Sequence, residues 1–495
     1  MATLERKEPL ALTYNKRIED IRDIEYPTLK DVIYLDHAGS TIYARSLIES
    51  YAEDLQNNLY GNPHSDNTPS RVSGAGVDAI RIQLLQYFGA DLNDFDLIFT
   101  ANATASIKLV GECISQYARS QTSPFGRRRV FNYVYHQDSH TSLVGLRELA
   151  TGESICLLGD DAAEKWIDRS LSRFRQKGVT LFAYPGQSNM TGRRLPRSWP
   201  GRIRRNHRDT YVLWDAAAIA STSFLDLSDA DTAPDFTALS LYKIFGYPDV
   251  GCLIVRKSAA SVLSQRRYFG GGTVDMVINS PSPRKPSWHA LKTQSLHDIL
   301  EDGTVNFHSI AAIPHAIETH ARLFGTMSDV SSHCAFLTAH LFHRLTSLHH
   351  SNNSPMCLIY PDSKPLTRTF GNPTLQGPTI ALSLLSPSGT IHGYADIEKA
   401  ADKEKIYLRS GSVCNPGGMA YLGWERMEDM QVAWMAGHRC SDPIQSVGGR
   451  TTGVVRVSLG AMSTMADVEG FVDWVGRRYI NLGVLAGIYD VLIVF

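Results

Sequence analysis

Short apolar, β-rich runs that each stop at a polar or glycine-bearing turn recur along the first half of this chain. That alternation limits its fold more than any other feature. Residues 32–35 run into Asp-His-Ala-Gly, residues 96–100 into Ala-Asn-Ala-Thr, and residues 130–135 into His-Gln-Asp-Ser-His. Residues 179–184 run into Pro-Gly-Gln-Ser-Asn, residues 211–214 into Asp-Ala-Ala-Ala, and a further run spans 252–255. Segments with helical periodicity, such as 104–118 and 162–176, lie between several of them. Strands alternating with helices predict an α/β fold with a mainly parallel sheet covered on both faces. In such sheets a ligand sits beyond the carboxyl ends of the strands. The unusual polar residues of this sequence fall at those ends.

From about residue 325 the pattern changes. A mainly helical stretch (310–345) leads into a Ser/His/Asn/Pro-rich loop (347–355) and then a mixed region with separate strands. This predicts a smaller α+β lobe. The expected organisation is an N-terminal segment (1–45) packing with the small lobe, a large domain (46–324) and a C-terminal domain (325–495). A chain of 495 residues can bury both cores. The net charge is −1, and the basic clusters at 127–129 and 202–208 are short, so no nucleic-acid footprint is expected. A small-molecule substrate or a protein partner fits better. The seven cysteines are scattered and form no CxxC pair, and the charged N-terminus has no apolar core. Free thiols in a reducing, cytoplasmic setting are therefore expected. Residues 480–495 are apolar except for Asn481 and Asp490, a run too short and interrupted to span a bilayer. The run reads as a terminal element on the small lobe, or as a stop where a longer relative would continue.

The chemistry starts at Ser240-Leu-Tyr-Lys243-Ile-Phe-Gly246. Alone, a lysine between apolar residues is a snorkelling surface residue. Asp215, a carboxylate at the end of an apolar strand 28 residues earlier, changes that reading. Pyridoxal phosphate needs an amine to bond its aldehyde and an acid to keep its pyridine nitrogen protonated. Ala101-Asn-Ala103-Thr104 follows a strand and opens a helix, so its free N–H groups suit a phosphate dianion, with the Thr104 and Ser240 hydroxyls in reach. Gly270-Gly-Gly-Thr273 is a second phosphate candidate. His140, after a strand, could stack on a cofactor ring or relay protons. Asn189 could donate to a phenolic oxygen. In Leu408-Arg409-Ser-Gly-Ser-Val-Cys414-Asn-Pro-Gly-Gly418, glycines and a proline surround a cysteine on a loop able to move. Arg409 offers a fork for a substrate carboxylate and a cation that favours the Cys414 thiolate.

Together these stretches resemble the class V aminotransferase-like family, specifically the cysteine desulfurases, and within them the N-terminal domain of eukaryotic molybdenum cofactor sulfurases. Besides those quoted, the matching stretches are Tyr34-Leu-Asp-His37-Ala38-Gly-Ser-Thr41, Gly61-Asn-Pro-His-Ser65, His140-Thr-Ser-Leu-Val-Gly-Leu-Arg147 and Gln187-Ser-Asn-Met-Thr-Gly-Arg193. They continue with Tyr268-Phe-Gly-Gly-Gly-Thr-Val274, Glu301-Asp-Gly-Thr304, Ala436-Gly-His-Arg-Cys440 and Val455-Arg-Val-Ser-Leu-Gly460. They run in family order over about 30–475.

The resemblance implies a fold-type I, aspartate aminotransferase-like large domain and a homodimer. It implies that Lys243 bonds pyridoxal 5'-phosphate, Asp215 pairs with the pyridine nitrogen, His140 stacks on the ring and Asn189 touches the phenolic oxygen. Ala103, Thr104 and Ser240 would hold the phosphate, with Thr273 reaching the one held by a partner subunit. Arg409, His37 and Ala38 would meet the L-cysteine substrate, and Cys414 would accept its sulfur. Ala218 and Tyr242 stand where bacterial cysteine desulfurases often carry Gln and His, which points to the molybdenum cofactor branch. Sulfurases continue into a second, cofactor-binding domain, for which nothing after residue 480 has room. The expected acceptor is thus a separate molybdenum-cofactor-binding protein or another acceptor, or the chain was cut short. The alternative is a pyridoxal-phosphate-dependent C–S lyase of specialised metabolism, which would not use Cys414 as a sulfur acceptor.

Overall fold

Residues 178–185 carry Val, Leu, Phe, Ala and Tyr in sequence, and every one of them is buried. A continuous apolar run of this kind suits a strand covered on both faces. The computed structural model describes residues 12–122, 128–169, 178–279, 287–361 and 369–480. The charged N-terminus, Arg127, the end of the helix predicted at 162–176 and nearly all of the apolar run at 480–495 lie outside them.

A seven-stranded sheet forms the centre. Its strands are β1 (Phe95–Thr100), β2 (Val130–His136), β3 (Ser154–Leu157), β4 (Gly178–Pro185), β5 (Thr210–Asp215), β6 (Phe236–Ser240) and β7 (Gly251–Arg256), in the spatial order β1-β7-β6-β5-β4-β2-β3. Only β7 runs opposite to the rest. Successive residues feed opposite faces. Phe182 and Tyr184 of β4 enter one core with Val77, Ile80 and Ile310 of flanking helices, while Val179, Leu181 and Ala183 enter another with Ile107, Val110 and Ile114. The latter three lie on the helix Ala103–Ser120, at the spacing that gives a helix one apolar face.

The small lobe is a four-stranded antiparallel sheet of β8 (Cys357–Tyr360), β9 (Thr379–Leu384), β10 (Arg409–Gly411) and β11 (Val454–Ser458), ordered β8-β9-β11-β10. The helices Met327–Ser347 and Met465–Tyr479 pack on it, each opened by a capping box, Thr326 with Asp329 and Thr464 with Asp467.

Four details differ from the sequence expectations. The run at 32–35 does not join the large sheet: Ile33–Tyr34 pairs with Ile406–Tyr407, and Asp36 bridges to Ser458. The helical stretch at 310–345 is two helices, Phe307–Phe324 and Met327–Ser347, divided at Gly325, which turns at φ +79°. Strands β3 and β6 were not anticipated; each is only four or five residues long, and short apolar runs carry little periodicity. The run at 252–255 forms the antiparallel β7.

A buried ion pair ties the sheet edge to its helices. The Arg81 guanidinium forks onto Glu301 at 2.7 and 3.1 Å and lies over the Phe99 ring, while Glu301 also accepts the Phe99 N–H at 2.7 Å. Glu301→Ala would leave a guanidinium buried and unpaired, a loss of about 3–5 kcal/mol readable as a lower urea midpoint. His37, His320 and His333 are buried in their neutral form. Burial lowers His37 to about 3, with Arg22 acting the same way, and lowers His320 to about 4 and His333 to about 4. Below the ordinary histidine value of 6.5 the unfolded chain binds protons that the folded chain refuses, so stability falls as pH drops from 6.5 towards 4. His320 Nε2 has no hydrogen-bond partner. His320→Leu should therefore flatten the acid limb by up to about 1.4 kcal/mol per pH unit in denaturation titrations between pH 7.5 and 4.5.

Candidate active site

Five parallel strands end at one edge of the large sheet, β1 at Thr100, β2 at His136, β4 at Pro185, β5 at Asp215 and β6 at Ser240. The turns beyond them, with Arg409, Val413 and Arg456 of the small lobe, enclose a cavity of about 230 Å³. Lys243, Asp215, His140, Asn189, Ala103, Thr104, Ser240 and Ala38 all line it. Strands β5 and β6 are direct neighbours, with Asp215 opposite Ala238, so the carboxylate and the lysine turn meet at the same edge. Lys243 sits in the single turn Tyr242–Phe245, closed by Gly246 at φ +80°, where a Cβ would strike the Tyr43 N at 2.3 Å. Burial lowers the Lys243 pKa, Arg456 and Arg409 act in the same direction, and Asp215 opposes them. Such an amine is more readily a neutral nucleophile.

Asn102 caps the helix Ala103–Ser120 by accepting the Ala105 N–H at 3.0 Å, and the Ser240 hydroxyl accepts the Ala103 N–H at 2.9 Å. The Thr104 hydroxyl lies 2.8 Å from Ser142 Oγ, which is 2.9 Å from His140 Nδ1. A hydrogen-bonded chain thus runs from the helix N-terminus to the imidazole. Burial lowers the His140 pKa, Asp215 opposes it, and Lys243, Arg409 and Arg456 add to it. On the small lobe, Arg409 and Arg456 face each other across β10 and β11. Like charges in that position repel. Asp36 forms an ion pair with Arg456, which leaves Arg409 as the cation open to an incoming anion.

The donor set fits pyridoxal phosphate. The helix N-terminus with Thr104 and Ser240 suits a phosphate, Asp215 a protonated pyridine nitrogen, the flat His140 ring an aromatic face, and Lys243 an aldehyde.

The sequence profile of the family described as Aminotransferase class-V matches residues 33–471. The chain belongs to that family. This class-V chain is 49% identical over 469 residues to the molybdenum cofactor sulfurase of Aspergillus niger, covering 94% of itself and 55% of that protein. It spans about half the length of the curated relatives it matches. Among solved structures it resembles the apo cysteine desulfurase of Thermococcus onnurineus NA1, with a TM-score of 0.69 at 20% identity over 94% of this chain and 99% of that one. It also resembles a cystine C–S lyase in complex with cysteine persulfide, with a TM-score of 0.61 at 17% identity over 91% and 99%. Likeness at these identities establishes the fold, that of the fold-type I enzymes, as the family resemblance implied.

Three residues singled out in the class-V chain lie off the cavity. Thr273 is fully buried elsewhere, its hydroxyl donating to Gly270 O at 2.8 Å. His37 lies in a narrow cleft beside Ala38 and Lys243, its ring between the Thr41 and Ser463 hydroxyls. Cys414 lines a second cavity on the outer side of its loop, and Val413 and Arg409 belong to both cavities. Asn189, read as a partner for the cofactor, also clasps this loop, its amide donating to Val413 O at 2.6 Å.

Arg456, Ser142 and Asn415 were not picked out from the sequence. Arg456 is 2% exposed and donates to Asn189 O at 2.9 Å as well as to Asp36. An arginine inside the apolar run Val-Val-Arg-Val was a readable signal, because a charge there must be paired. Asn415, fully buried, donates to Asn189 Oδ1 at 3.1 Å and accepts the Gly418 N–H at 2.9 Å. Arg456→Lys keeps the charge but cannot fork between Asp36 and the Asn189 carbonyl. It is expected to cost about 1–3 kcal/mol, measured as a lower thermal midpoint.

Proposed function

We propose that this chain is a pyridoxal-phosphate-dependent cysteine desulfurase that takes sulfur from L-cysteine onto Cys414, releases alanine, and serves molybdenum cofactor sulfuration. The observation that carries the proposal is the meeting of Lys243 and Asp215 at adjacent strand ends, in a cavity that Arg409 and Val413 of the small lobe also line. The names of the relatives support the sulfuration role.

When bound, pyridoxal phosphate supplies an electrophilic carbon and an electron-withdrawing ring. Lys243, its pKa lowered by burial, would hold that carbon through Nζ, and the same nitrogen is placed to take a proton from the substrate. Asp215 holds a proton at the pyridine nitrogen. Ser240, Ala103 and Thr104 anchor the phosphate, and Ser142 fixes the His140 ring against the cofactor. Arg409 binds the substrate carboxylate and so aims the substrate thiol at the loop. The Cys414 thiolate attacks that sulfur; as the sulfur–sulfur bond forms, the substrate's carbon–sulfur bond breaks, its electron pair stays on carbon, and protonation of that carbon gives alanine and leaves a persulfide on Cys414. The reading includes a homodimer in a reducing, cytoplasmic compartment, with sulfur delivered to a molybdenum-cofactor-binding acceptor.

The C–S lyase alternative is favoured by one observation, that Cys414 lines the outer cavity and not the inner one. Alanine release from L-cysteine under reductant separates the two. The desulfurase reading expects alanine from the unmodified, cofactor-loaded protein and at least a tenfold loss in Cys414→Ala, of the order that removing a covalent nucleophile produces. Pyruvate in place of alanine, unaffected by Cys414→Ala, would establish the lyase.

A further inference from the structure

The outer cavity, of about 420 Å³, holds a second thiol. Of the seven cysteines, Cys113, Cys252 and Cys334 are buried, Cys357 is half-buried, and Cys156 is exposed on β3. The remaining two, Cys414 and Cys440, are exposed and face the same cavity. Cys440 is held there by its turn. The helix Met427–Met435 ends through Gly437 at φ +96°, and the His438 N–H returns to Ala433 O at 3.0 Å. Arg439 lies over the Trp434 ring at 3.2 Å and donates to Trp434 O at 2.8 Å, while its own N–H reaches Asp442 O at 3.1 Å.

The lining suits an anionic sulfur. Arg409 and Lys399 bring two cations, and His438 brings an imidazole. Of the two carboxylates present, Glu398 is engaged by the Ser410 hydroxyl at 2.6 Å, and Asp442 is the other. Cys414 faces this side. Val413 and Cys414 both adopt left-handed backbone, at φ +45° and +56°, which costs energy in residues other than glycine. The Thr141 N–H holds the Cys414 carbonyl at 3.0 Å, and Asn189 holds that of Val413.

We propose that Cys440 is a second sulfur carrier, to which the persulfide on Cys414 passes its terminal sulfur inside this cavity. The proposal rests on the desulfurase reading for its supply of sulfur. The Cys440 thiolate attacks the terminal sulfur of the Cys414 persulfide. A sulfur–sulfur bond forms at Cys440 while the bond to Cys414 breaks, and Cys414 leaves with the electron pair as a thiolate. His438 takes the proton of the Cys440 thiol and returns it to Cys414. One persulfide and one thiol become one thiol and one persulfide, so no oxidant or reductant is consumed. Cys414 is thereby freed for another turnover before any acceptor arrives.

The test uses the cofactor-loaded full chain, incubated with L-cysteine and no reductant, then alkylated, digested and mapped by mass spectrometry. One added sulfur is expected on both the Cys414 and Cys440 peptides of the unmodified protein, on Cys414 alone in Cys440→Ser, and on neither in Cys414→Ala. Alanine formed with sulfur on Cys414 only, in the unmodified protein, would overturn the relay and leave the desulfurase reading intact. No alanine and no added sulfur would overturn both. A second measurement needs neither cofactor nor substrate. A short bis-alkylating thiol reagent should bridge Cys414 to Cys440, a product lost in Cys440→Ser, and failure to bridge the unmodified protein would overturn the relay.

Discussion

The buried guanidinium of Arg456 joins the three parts of the chain that make the site. It projects from β11 of the small lobe, pairs with Asp36 of the N-terminal segment and donates to Asn189 O in the turn beyond β4. Burial pushes its pKa down and Asp36 opposes the shift. A charge this deep is tolerated only with its partners in place. Asn189 in turn uses its amide to hold Val413, so one cation indirectly sets the position of the Cys414 loop.

The same guanidinium shapes the electrostatics of the cavity. With Asp36 on Arg456, the cross-strand neighbour Arg409 faces the cavity as the cation available to a substrate anion. Both arginines also bear on the groups opposite. They reinforce the effect of burial in lowering Lys243 and His140, while Asp215 resists it. The large sheet carries Lys243, Asp215 and the helix start at Ala103, and the small lobe carries Arg409 and Cys414. The inner cavity lies where the lobes meet.

The loop between the two cavities is built as a partition. Val413 shows a face to each side, and left-handed backbone at Val413 and Cys414 directs the thiol outward. Asn415 and Gly417 hold its far end. A Cβ on Gly417 would strike Gln137 O at 1.8 Å, so the loop packs directly on the turn after β2.

Much of this was legible in the sequence for local reasons. Apolar runs ending in polar turns place Asp215, His140 and the helix start at Ala103 on strand ends, because a parallel sheet leaves those ends as its open edge. Lys243 and Asp215 could be paired from chemistry alone, since an amine and a buried acid each lack a purpose without the other. The rest depended on contacts between residues hundreds of positions apart. The chain order 36, 189, 456 does not reveal that one guanidinium will join the three, because its cost and its compensation come from different segments. Nor could the loop's glycines show which way Cys414 points, which is decided by Asn189 and Thr141 from the other lobe. The sequence alone determined the alternating architecture and which polar residues stand at the strand ends, which follow from short-range patterning. Only the tertiary structure decided which cavity each group faces, because that depends on burial and hydrogen bonds made across the two lobes.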